Sequence, residues 1–203
     1  VAVVQDVQCV MDWLADEVCP KVTLKAVPED WRDEDGSRYD YQLVHPVVHG
    51  MYWPTGPQMV APPYLFSHPG VLVQVTDGED SIAERTESLT VRLHLSAWNP
   101  GLHGRDVWEP SPDGGFVRRE ADEFAPSYDD GWRDAWSFVD VVVRELRNAR
   151  DVHGLAVDRS QPVRFGPYSE QGSIPDLYPF WFAWVEVALY RGQASPTFLQ
   201  DYL

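Results

Sequence analysis

The sequence predicts an α+β domain: a mainly antiparallel β-sheet with two principal helices packed on one face, plus long loop insertions. Three observations predict it. Two segments repeat apolar residues at three- and four-residue steps, the period of an amphipathic helix. A larger number of segments alternate apolar and polar residues, with hairpin-like links between them. Seventeen prolines and 14 glycines break up the regular segments with loops. A length of 203 residues, 44% of them hydrophobic and 13% aromatic, suits one domain, 1–203, with a sizeable core. No internal repeat is visible.

The first helix is marked by Val3, Val4, Val7, Val10, Met11, Leu14 and Val18, which form one stripe. Pro20 stops it. Val22, Leu24 and Ala26 then alternate with Lys21, Thr23 and Lys25, a short half-exposed strand. Residues 28–38 are acidic and contain Gly36, so they read as a solvated loop. Tyr41 to Val48 reads as a strand, placed at a sheet edge by Pro46. The proline-rich stretch from Pro46 to Pro69 is largely extended or irregular.

The centre of the sheet is clearer. Val71, Val73 and Val75 alternate with Leu72, Gln74 and Thr76, and Val91, Leu93 and Leu95 do so within residues 90–98. These two strands pair antiparallel, and Asp77 to Glu87 reads as the acidic hairpin loop between them. Residues 99–128 show no sustained period and read as a long loop insertion, a class that is usually functional or disordered. The second helix carries Trp132, Ala135, Trp136, Val139, Val142, Val143 and Leu146 on one stripe. Asp129 or Asp130 can cap it, Arg144 and Arg147 suit its C-terminal end, and Gly154 ends the region. Two strands follow, at Gln161 to Tyr168 and Phe180 to Tyr190. The second reads as buried on both faces.

The net charge of −16 argues against binding nucleic acid by neutralising phosphates and against docking on an anionic membrane. No apolar run reaches the roughly 18–20 residues of a membrane span. The N-terminus lacks the basic region of a signal peptide. Cys9 and Cys19 lie some 15 Å apart on one helix, too far for a disulfide, and read as idle thiols in a reducing compartment.

Little in the sequence points to catalysis. His45 and His49 have a zinc-like spacing only on a helix, which Pro46 makes improbable. His94 alternates with the apolar face of its strand, a surface position. No nucleophile elbow and no phosphate-cradling glycine pattern occurs. The pair Asp129–Asp130 reads as a helix cap and Asp33–Asp35 as a solvated loop. Asp77, Glu79 and Asp80 do not meet the calcium-loop pattern. The expectation is no enzyme, no metal and no cofactor.

Four segments in order carry a resemblance. They are Pro62–Phe66 with His68–Val75, Leu89–Leu95 after an acidic stretch, Asp130–Asp140 continuing to Arg-Glu-Leu, and Tyr178–Val187. Their succession resembles the tail terminator, or tail-completion, proteins of long-tailed phages and phage-like particles. It covers roughly residues 60–190. The link from the second strand to the helix is about 30 residues here and usually short, and residues 20–57 are not clearly matched.

The resemblance implies a virion structural protein at the head-proximal end of the tail, assembled in the host cytoplasm. Such proteins form a sixfold ring that caps the tail tube, stops its polymerisation and offers a docking face to the head–tail connector or neck protein. DNA passes through without specific binding. A ring needs heterologous interfaces. Trp31, Trp53, Trp108 and Phe116 are the candidate interface residues, since they lie in irregular segments where a neighbouring subunit would bury them. Trp132, Trp136 and Trp184 fall on predicted core faces. Asp77, Glu79, Asp80 and Glu84 are the candidate lumen-facing acidic loop, with Asp33 to Asp35 as another; the plainer reading of both is solubility. The alternatives are a neck or head-completion protein, an enzyme of unknown type, and a monomeric module that binds through its aromatic patch.

Overall fold

The computed structural model describes residues 3–27, 42–53, 68–81, 86–99, 108–118, 131–169, 177 and 179–192. The chain is α+β, with two helices on one face of a mainly antiparallel sheet. Helix α1 spans Val3–Trp13. It continues without a break through a π-helical turn, Leu14–Val18, and a 3-10 turn, Cys19–Lys21. Pro20 sits inside that last turn, and the extended backbone of Val22 ends it. Val10, Trp13, Leu14 and Val18 are buried, whereas Val3 and Val4 are exposed. Asp6 is also buried and pairs with Arg191.

Strand β1, Leu24–Lys25, pairs with β2, Leu43–Val44, as a small separate sheet. Val22, Leu24 and Ala26 are buried, and Lys21 and Thr23 are exposed, as the alternation predicts. Lys25 departs from it: it is buried, with Nζ 2.9 Å from Asn99 Oδ1. Asn99 Nδ2 in turn donates to Asp134 Oδ2 at 2.8 Å.

The main sheet comprises β3 (Val47–Gly50), β4 (Gly70–Ser81), β5 (Thr86–Trp98), β8 (Ala156–Val157), β9 (Arg164–Pro167) and β10 (Phe180–Gly192). Its order is β3-β4-β5-β10, and β10 pairs with both β8 and β9. Among the described strands only the β3–β4 pairing is parallel, at the edge where Pro46 placed a strand. A two-stranded hairpin, β6 (Trp108–Pro110) with β7 (Phe116–Arg118), lies within the segment 99–128 that reads as structureless in the sequence.

Helix α2, Trp132–Asn148, buries Ala135, Phe138, Val139, Val142, Val143 and Leu146. With α1 these residues join one core with Val71, Val73, Val91, Leu93, Leu95, Val185, Val187 and Leu189 from one face of the sheet. Trp132 does not belong to that core, being 43% exposed at the first position of the helix. Trp136 is partly buried, edge-on to Phe165. The N-cap residue is Gly131, with no side-chain cap; Asp129 and Asp130 lie outside the described residues. Arg147 stands in the last turn, and Arg159 donates to the Ala149 carbonyl at 3.0 Å beyond it. Gly154 lies past the helix end, in a turn where its φ of 96° suits glycine. Lys21 and Glu145 tie the 3-10 turn to α2 at 2.9 Å; the bond raises the Lys21 pKa and lowers that of Glu145.

Candidate functional site

Among the described residues no helix covers the second face of the sheet. Its residues follow from the register: Gly70, Ser96 and Phe182 share one row, Leu72, His94 and Trp184 the next, and Gln74, Arg92 and Glu186 the third. Their neighbours along each strand point into the core. The face changes character along the strands, from aromatic through mixed to acidic.

The aromatic end gathers residues from four strands and their flanks. The ring of His68 lies 5.1 Å from Trp53, 5.1 Å from Phe180 and 5.6 Å from Phe182. Trp53 also meets His49, at 5.4 Å. Trp53 is therefore partly buried by its own chain and does not need a neighbouring subunit for it. His68 Nδ1 contacts Ser96 Oγ at 2.8 Å, and Ser96 exchanges hydrogen bonds with the backbone of Gly70. Ser96 is fully buried and braces two strand ends. Burial, and then the neighbouring His49, push the His68 pKa down to about 4. The ring is neutral at pH 7.

Beside this cluster lies an open apolar concavity of about 400 Å³. Met51, Trp53, Leu72, Phe182 and Leu177 form its walls, and Gln74 and His94 its polar floor. His94 is half-buried, bonded to Gln74 at 2.7 Å, and its pKa is lowered by burial and then by Arg92. In the middle of the face, Arg92 Nη2 donates to Glu186 at 2.7 Å, and its guanidinium lies 4.8 Å from the centroid of Trp184. Trp184 is thus a face residue, not a core residue. It lies over Gly166, where a side chain would collide with it.

The acidic end corrects the sequence reading. Asp77, Glu79 and Asp80 are not in a loop but in the paired length of β4, opposite Thr90, Ser88 and Glu87. The link between β4 and β5 is only 82–85. A bulge between Val75 and Asp77 inserts Thr76 into β4. One extra residue reverses the alternation. Beyond it, Asp77 and Glu79 stand on the helix-free face, and Gly78 stands over Leu89 on the core side. Asp77 and Glu79 line a concavity of about 380 Å³ together with Asp158, Arg164 and Glu186. Hydrogen bonds from Ser160 hold the Asp158 carboxyl below its usual range.

The other sequence-derived sites are scattered. Trp31, Glu84 and Asp33 to Asp35 lie outside the described residues. Trp108 and Phe116 fall in β6 and β7, away from the main sheet order. His45 Nδ1 meets the Val22 carbonyl at 2.7 Å, while His49 sits in the aromatic cluster, so the pair shares no site. Among the described residues no group of three His, Cys, Asp or Glu could hold a metal. Cys9 and Cys19 are free, and burial pushes the Cys19 thiol up to about 12. Among the described residues no helix is long and apolar enough to cross a membrane. His68, Ser96 and the Thr76 bulge were missed in the sequence; the one available signal for the bulge was a Gly-containing acidic run continuing a strand. No protein-family model matches the sequence, and no curated protein matches it.

Proposed function

We propose that this chain is a ring-forming tail terminator, which caps a phage-type tail tube, stops its growth and receives the head–tail connector. The observation that carries the reading is the two-sided sheet. Three long strands, β4, β5 and β10, are backed by both helices on one face, and no described helix covers the other. A subunit of this shape can contribute a section of wall to a ring. The bulge adds a second support, since it turns Asp77 and Glu79 onto the bare face. A lumen that passes DNA needs a surface that repels phosphates. In this reading the bare face lines the channel.

The test is co-assembly. Tail-tube protein from the same particle is polymerised alone and with the purified chain, and tube lengths are measured by electron microscopy. Expected are shorter tubes carrying a sixfold ring at one end. Tubes of unchanged length, with no chain at either end, refute the reading. Binding to the connector alone would place the chain in the neck.

A further inference from the structure

We propose that the arginine-bearing C-terminal end of α2 docks on the acidic end of β4 and β5 in a second copy of this chain. The charge of the chain is uneven. Residues 131–164 hold six arginines against five carboxylates, in a chain with 16 cations against 32 carboxylates. At the end of α2, Arg147 and Arg150 are exposed. Glu145 is engaged by Lys21 and Arg144, and Arg159 donates to the carbonyls of Arg147 and Ala149. On the other flank Asp80 of β4 stands directly opposite Glu87 of β5. Like charges in that position repel. Gly78 and Leu89 face the helices, so Asp80 and Glu87, two residues further along each strand, share that side. Asp80 is exposed. Arg191, opposite Glu87 on β10, is drawn to the buried Asp6. A cation brought from outside relieves the repulsion.

The two patches lie on the helix side of the sheet and at one level. A row through Glu79, Ser88, Tyr190 and Ala156 crosses from β4 to β8 beside Asp80. Arg159, which holds the end of α2, follows β8 by two residues. The order β4-β5-β10-β8 puts the patches on opposite flanks. Three strand spacings, about 14 Å, separate β4 from β8. That exceeds the screening length of about 8 Å at physiological salt, so within one chain the patches do not neutralise each other. Between copies standing side by side they meet. The contact joins two different patches, so it is heterologous and builds rings or open chains. It leaves Asp77 and Glu79 on the other face, and it rests on the preceding reading only for closure into a ring.

The test is charge exchange in the full-length chain. Arg147→Glu/Arg150→Glu and Asp80→Lys/Glu87→Gln are purified and studied singly and as an equimolar mixture. Association is read by analytical ultracentrifugation of the concentrated chain and by chemical cross-linking of chain bound to tubes. Each variant alone should associate at least about tenfold more weakly than the parent. The mixture should regain the parent's association, because every contact between unlike variants again pairs opposite charges. Loss of fold cannot produce that recovery. Should a double variant not fold, Arg150→Gln and Asp80→Asn replace it, each weakening association about threefold. A parent that associates in neither state overturns the proposal, and so does a mixture no better than its components. Duplex DNA bound through Arg147 and Arg150, with self-association unchanged in their variant, assigns the flank to nucleic acid and overturns it too. Rings formed on tubes equally well by both variants overturn the charge contact alone. Association restored in the mixture with tubes left uncapped supports the contact and refutes the terminator.

Discussion

Replacing Gly131 with serine separates two explanations of the glycine that opens α2. Gly131 has φ −56° and ψ −26°, an ordinary helical conformation, so no backbone strain calls for glycine. Space does. A Cβ there would lie 2.5 Å from the Asn99 carbonyl oxygen and 3.0 Å from Trp181 Cε2, with the indole nitrogen nearer still. Neither neighbour can move freely. Trp181 Nε1 donates to that carbonyl at 2.8 Å, and the Asn99 side chain is held between Lys25 and Asp134. Forcing a side chain into such a site costs about 1–3 kcal/mol, and losing the indole bond about 1 kcal/mol more. Serine at an N-cap returns only a few tenths of a kcal/mol over glycine. The net cost is about 2–4 kcal/mol, a fall in Tm of about 4–15 °C for a domain of this size. Urea unfolding followed by tryptophan fluorescence and circular dichroism measures it. Gly115→Ser is the control, because nothing lies within 4 Å of a Cβ at that position. If Gly131→Ser is as stable as the parent, the close approach is refuted and Gly131 is only a cap.

Three further outcomes are expected. His68 is held at about 4 against an ordinary 6.5, so the unfolded chain takes up its proton first as pH falls. Its contribution is fully present above pH 6.5 and is lost progressively down to about pH 4, up to about 3 kcal/mol; His68→Leu should show a shallower loss in denaturation across that window. Arg92→Lys keeps the charge but loses the second nitrogen on Glu186 and the flat contact with Trp184, and should cost about 1 kcal/mol by chemical denaturation. Lys25→Met removes the buried donor to Asn99 and should cost about 1–3 kcal/mol, with Asn99→Ala adding less than its own single effect because the two share one network.

The fold was legible where one physical signal dominated. Val139, Val142, Val143 and Leu146 keep helical spacing, and all four are buried in α2. Val91, Leu93 and Leu95 alternate, and all three face the helices. Reading failed where a local pattern met a non-local partner. Lys25 alternates like a solvent-facing residue, yet it is buried, with its Nζ donating a hydrogen bond to Asn99, far along the chain. Trp132 fits the apolar stripe, yet it starts the helix beyond the edge of the core and stays exposed. Trp184 reads as core in an apolar run, yet Arg92 and Gly166 give it a place on the outer face. The aromatic cluster could not be read at all, since Trp53, His68 and Phe180 are brought together only by the parallel β3–β4 pairing and the β5–β10 register.

The acidic residues make the sharpest case. Composition gives the number of charges and says nothing of their side. Alternation running on unbroken from Leu72 and Gln74 would put Asp80 on the bare face and turn Asp77 and Glu79 toward the helices. The extra residue Thr76 reverses this. It also brings Gly78 over Leu89, where its missing side chain leaves Leu89 Cδ1 3.6 Å from the position of a Cβ. A bulge bends its strand and leaves a residue out of the ladder, so it carries a cost in pairing. Charge that serves only solubility can sit anywhere exposed and gains nothing from such a device. Charge required on one face, next to Glu186 and Asp158 and away from the helices, does gain from it. The position of the bulge thus decides which face Asp77 and Glu79 occupy.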